Sequence, residues 1–164
     1  MKNSLDILVP YKYVASNILL TWPDIKFGID NKYLCSDDAI THAVEEMEKK
    51  HEYNADLEEL AMLFKGEEIE PYLSRLASST SQDANETEKR WLYLLLKWIY
   101  DNKFRLYTAP LEMIEIVYAD FDYPEAISNL IRYMPSDGAN IGENVLFENW
   151  KLYLNTNRKL YLPL

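Results

Sequence analysis

With 164 residues, 48% of them hydrophobic and 13% aromatic, the chain has the size and apolar content of one folded domain and is too apolar to be disordered. A net charge of −10 disfavours nucleic acid and anionic membrane as partners. The single cysteine, Cys35, excludes an intramolecular disulfide and a multi-cysteine zinc site and fits a reducing compartment.

Residues 1–20 carry Asp6, Pro10 and Lys12 inside a broken apolar pattern, a poor match to a secretory signal. Residues 5–9 read as a short strand or an extended arm. Thr21-Trp-Pro-Asp24 has the form of a capped helix start, with Ile25 and Ile29 inward and Gly28 a weakness. Ser36 is positioned to cap the next helix, whose first turn holds Asp37 and Asp38 and whose stripe is Ala39, Ile40, Ala43, Val44 and Met47. Leu57, Leu60, Ala61 and Phe64 follow at helical spacing and stop at Gly66, a natural residue beyond a helix C-terminus. Ile69, Tyr72, Leu73 and Leu76 form a third stripe, with Pro71 tolerable only in the first turn.

Residues 78–88 are the most polar stretch and read as an exposed loop ending in a cap at Asp83 or Asn85. Residues 91–100 are apolar nearly all round, as expected of a central helix packed on several sides. They fall far short of the ~20 apolar residues that a membrane span needs. Thr108 and Pro110 open a helix with Leu111, Ile114, Val117, Tyr118 and Phe121 inward. Pro124 opens another, with Ile127, Leu130, Ile131 and Met134 inward, ended by a turn at 135–138. Residues 143–155 form the last helix, burying Leu146, Trp150, Tyr153 and Leu154. These elements predict an all-α fold, one domain over residues 1–164, with about seven or eight short antiparallel helices around a central apolar one. The expected location is the cytoplasm.

Tyr118-Ala-Asp-Phe-Asp-Tyr-Pro-Glu125, continuing through Ile131-Arg-Tyr-Met-Pro-Ser-Asp-Gly138 and Glu148-Asn-Trp150, resembles the signature of a small bacterial family of unknown function. Thr21-Trp-Pro-Asp24, Phe27-Gly28 and Ser36 are similar to its N-terminal part. The resemblance implies a place among immunity proteins of polymorphic-toxin and contact-dependent-inhibition systems, which bind and block a cognate toxin domain, commonly a nuclease. It supplies no catalytic residue.

Candidate chemistry is sparse. Asp120, Asp122 and Glu125 read either as a cluster for a hard cation or for acid–base work, or as helix-start residues, with Asp122 the cap of the helix at Pro124. His42 and Glu46 stand one turn apart and read as a solvated pair; His51 follows, and neither zinc-binding signature is present. Cys35 reads as a small buried thiol. No phosphate-binding glycine loop occurs, and the basic segments are short and interrupted. No cofactor is expected.

What stands out is acidity. Residues 37–70 hold twelve Asp or Glu against three Lys or Arg, a local charge of −9 within regular helical patterning. Like charge so concentrated repels itself, and against a basic protein it would speed association while excluding nucleic acid from the same surface. The expected partner-binding residues are Asp37, Asp38, Glu45, Glu46, Glu48, Glu58 and Glu59, joined by Asp120 and Asp122 beside the neighbouring tyrosines. The expected function is immunity-like binding of a basic toxin domain, without catalysis. The alternatives are a helical adaptor gripping a peptide and, behind it, a carboxylate–metal enzyme.

Overall fold

A computed structural model describes residues 2–50, 54–132 and 142–162. An N-terminal arm without helix or strand, residues 2–9, leads into α1 (Tyr11–Asn17), α2 (Trp22–Asp30), α3 (Asp38–Lys49), α4 (Ala55–Ala61) and α5 (Glu70–Ser78). Then come α6 (Ala84–Asp101), α7 (Pro110–Asp120), a 3-10 helix (Glu125–Leu130) and α8 (Glu143–Tyr161). No strand is present among the described residues; the arm is irregular chain with a turn at Ser4 and Leu5, and α1 follows it directly after Pro10. His51, Met134 and the turn at 135–138 lie outside the described residues.

The central helix is where periodicity predicts it. In α6, every residue from Arg90 to Leu96 is buried, and α2, α7 and α8 pack around it. Trp91 and Trp150 are fully buried. Each ring removes about 150–250 Å² from water, roughly 4–6 kcal/mol of transfer free energy at ~25 cal/mol per Å². Their indole N–H groups are satisfied by backbone carbonyls, Trp91 donating to Asp24 O and Trp150 to Leu96 O. Tyr33 stacks on Trp91, and Tyr100 meets Trp150 edge-on. A second sequence of contacts runs outward, α2 to α5, α5 to α4 and α4 to α3, so the acidic segment forms one flank of the molecule.

Helix starts follow local chemistry. Thr21 and Asp24 form a reciprocal capping box at α2, and Asp83 caps α6 by accepting from Glu86 N. Pro71 and Pro110 sit in the first turns of α5 and α7, where a missing N–H costs nothing. Residues 78–88 are therefore only partly a loop, since α6 begins at Ala84.

Several local expectations are corrected. Asp37, not Ser36, precedes α3, and Cys35 is exposed, not buried. The inward face of α3 is Ala39, His42, Ala43 and Glu46, while Val44 and Met47 face solvent. His42 is consequently buried, because the rings of Tyr11 and Trp22 cover it edge-on. Helix α4 ends at Ala61, so Phe64 does not continue its stripe and stands exposed on the following turn. Asp122 does not cap the 3-10 helix: it lies in left-handed backbone (φ 59°), and its carboxylate binds Lys2. Helix α8 runs past Asn155 to Tyr161, whose carbonyl accepts from Leu19 N. Gly28 is a close-approach site, since a Cβ there would meet Trp91 at 2.5 Å and Leu34 at 2.7 Å.

Candidate partner-binding site

The nine carboxylates expected to bind a partner divide into those engaged inside the chain and those left free. Asp37 accepts from Gly66 N at 3.2 Å and lies 3.9 Å from Lys65, tying the α4–α5 turn to the start of α3. Asp38 accepts from Cys35 N, and its burial holds its pKa above the ordinary value. Glu45 accepts from Tyr11 Oη at 2.9 Å.

Glu46 accepts from Trp22 Nε1 at 3.0 Å and lies 3.5 Å from both His42 Nε2 and Lys50 Nζ. Its partial burial pushes the pKa up, but the closeness of the His42 ring and the hydrogen bond from Trp22 outweigh this and leave it below the ordinary glutamate value. Asp120 accepts from Ser4 N and Ser4 Oγ, and Asp122 from Lys2 Nζ at 3.0 Å. Both therefore fasten the N-terminal arm. Lys2 Nζ also donates to Asp120 O.

Glu48, Glu58 and Glu59 make no ion pair or side-chain hydrogen bond among the described residues; Glu68, on the α4–α5 connection, is equally free. Glu48, Glu59 and Glu68 are exposed and Glu58 is half-buried, whereas most of the remaining acidic residues of 37–70 neutralise cations or hold amides. Asp56 pairs with Arg75, and Glu70 with Lys26 and Ser74.

Two apolar side chains accompany this free charge, and sequence spacing assigned one of them to the core. Met62 and Phe64 are 72% and 79% exposed, the two highest values among large hydrophobic side chains in the described residues. With Ala55, Glu58, Glu59 and Glu67 they line an open cavity of about 550 Å³. Isolated exposed apolar groups are ordinary, but an apolar patch rimmed by polar residues marks an interaction site. Asn54 caps the start of α4, its side chain accepting from Leu57 N, and the helix ends at Ala61, three residues short of Phe64.

A second cavity, of about 530 Å³, lies where α1, α2 and α3 meet, with Tyr11, Ile18, Trp22, His42 and Glu46 among its walls. Tyr11 donates its only proton to Glu45, so its oxygen accepts from His42 Nδ1–H at 2.9 Å. His42 Nε2 is left buried without a hydrogen bond, since 3.5 Å to Glu46 Oε1 is too far for a good one. Elsewhere, the carboxylates of Asp120 and Asp122 are directed at the arm, and no three His, Cys, Asp or Glu residues gather to hold a metal among the described residues. None of the described helices is long and apolar enough to cross a membrane.

The sequence model of a bacterial family described as "Uncharacterized protein conserved in bacteria (DUF2247)" matches residues 11–158. The chain belongs to this family. No curated protein matches it, and no solved structure does. The match begins at Tyr11, the first residue of α1, and takes in every helix through most of α8. The residues that fasten the arm from the helical side, Asp120 and Asp122, fall inside it; Lys2 and Ser4 fall before it.

Proposed function

We propose that this protein acts by binding: it docks a basic protein partner on the α3–α4 flank and masks it, as an immunity protein neutralises a toxin domain. The observation that carries this reading is the coincidence of free carboxylates and exposed apolar side chains at one place. Among the described residues Glu58 and Glu59 have no ion-pair partner beside Met62 and Phe64, while the carboxylates closer to α2 and the arm are occupied internally. Unpaired surface charge steers a partner of opposite sign, and its effect is lost as salt shortens the Debye length from ~10 Å at 0.1 M. The same surface repels nucleic acid, so it would compete with the substrate of a nuclease-type toxin for the same positive groove.

The test is capture from the source bacterium at low and high salt, followed by binding kinetics with the purified partner. A single basic, toxin-like protein held at low salt and weakened at high salt supports the reading. Glu58→Lys with Glu59→Lys is then expected to slow association on the order of tenfold, while stability stays within about 0.5 kcal/mol. Co-production should protect cells from the partner, and the double variant should protect less. Association indifferent to salt and to both charge reversals would refute the electrostatic mechanism. Several ordinary cellular proteins held at any salt would favour a general adaptor.

A further inference from the structure

Resting on that reading, we propose that the partner presents a cationic amphipathic segment whose single bulky apolar side chain seats between Met62 and Phe64, with Lys or Arg on either side facing Glu58, Glu59 and Glu67. Three independent observations support this occupant.

The first is preorganisation. The turn carrying Phe64 is braced at both ends: Phe64 N donates to Glu67 Oε2, Glu67 N to Phe64 O, and Gly66 N to Asp37 Oδ1. Gly66 sits at φ +89°, a conformation that a side chain would strain. Phe64 is therefore displayed by a defined backbone, and little ordering is left to be done on binding.

The second is shape and composition. The cavity of about 550 Å³ has an apolar floor from Ala55, Leu63, Met62 and Phe64. The polarizable, unbranched Met62 adapts to different apolar shapes. The volume lies within the ~300–1,000 Å³ typical of binding pockets.

The third is charge. Among the described residues the lining includes three glutamates and no basic side chain, and nearby Lys65 Nζ lies 3.9 Å from Asp37. A second copy of this chain docking through the same face would set glutamate against glutamate, and an anionic lipid surface or nucleic acid would be repelled in the same way. A cation flanking an apolar anchor satisfies both the floor and the rim, which is the pattern of a helix laid in a groove.

The experiment uses the full chain and a fluorescein-labelled synthetic helix of Lys and Ala with one central Trp, read by anisotropy. Two control peptides replace that Trp with Ser, or every Lys with Glu. The expected result is that Phe64→Ser with Met62→Ser weakens the Trp peptide on the order of tenfold or more and leaves the Ser peptide unchanged. Glu58→Lys with Glu59→Lys is expected to weaken both Lys peptides, and the Glu peptide should not bind. The decisive control is Phe104→Ser, since Phe104 is 71% exposed but outside the cavity. It should change nothing, and equal weakening by Phe104→Ser would expose generic stickiness and overturn the proposal. So would Trp-peptide binding that is indifferent to Phe64→Ser with Met62→Ser. Both variant sites are exposed, and matching thermal melts would show that the fold is retained. If the anchor has no effect while a purified basic partner still binds through Glu58 and Glu59, the groove assignment falls and the broader function stands. If charge reversal also leaves that partner unaffected, both fall.

Discussion

Replacing Arg90 with Met removes one side of a buried ion pair whose structure sets the expected cost. Asp24 is 0% exposed, and Arg90 is buried over it. Arg90 Nε lies 3.0 Å from both carboxylate oxygens, and Nη2 lies 2.9 Å from Oδ2 and also bonds Leu19 O. Without Arg90, the carboxylate keeps only neutral donors: Thr21 N, Thr21 Oγ1 and Gln82 Nε2. Met preserves most of the apolar stem, so the loss is electrostatic. Leaving one member of a buried pair alone costs about 3–5 kcal/mol. Against a typical total of about 5–15 kcal/mol, that is a large fraction. At roughly 2–4 °C per kcal/mol for a chain of this size, Tm should fall by about 6–20 °C. Urea unfolding followed by tryptophan fluorescence measures it well, because Trp91 donates to Asp24 O beside the pair. Asp24→Asn should cost a comparable amount, and the double variant should cost less than the two singles combined, by more than about 1 kcal/mol. A loss below about 1 kcal/mol for Arg90→Met, or strict additivity, would refute the claim that this pair is desolvated and coupled.

Gly28→Ala should destabilise by about 1–3 kcal/mol despite alanine's better helix propensity, because its Cβ meets Trp91 at 2.5 Å; an unchanged or raised urea midpoint would show that the contact relaxes freely. The pKa of Glu46 is lowered by folding, so its contribution is present above the unfolded-state value and lost as pH falls through the lower folded-state value. Glu46→Gln should therefore cost stability at neutral pH and progressively less in acid, and a pH-independent difference in unfolding free energy would contradict this. Asp120→Ala should release the arm, seen as faster hydrogen exchange at Ser4 N, with the helical core unaffected; unchanged protection would mean that Asn3 and Lys2 hold the arm without it.

The candidate site was half legible. Glu58 and Glu59 stand on the side of α4 opposite Leu57 and Leu60, as spacing alone requires, and remain free. Glu46 shows why the rest was hidden. By composition it belongs to an acidic surface, yet the Trp22 indole N–H approaches from another helix and draws it inward. A polar atom on a buried aromatic ring needs a partner, and sequence spacing does not say which side chain will supply it. Phe64 is the reverse case, with the right spacing for a stripe but beyond the end of the helix.

The amino-acid sequence by itself determined most elements, because periodicity and capping act over a few residues: the start of α2 at Thr21, a cap at Asp83 or Asn85 that the structure places at Asp83, and the apolar run that makes α6 central. It also determined that the charge concentrates in one folded segment. Tertiary structure alone decided which charges are spent. Asp24 meets Arg90 across 66 positions and Asp122 meets Lys2 across 120, separations over which no local pattern carries information. Such pairings depend on how the helices dock, and docking is governed by the shape of the whole core. Among the described residues, that same docking leaves Glu58 and Glu59 without a partner beside Met62 and Phe64.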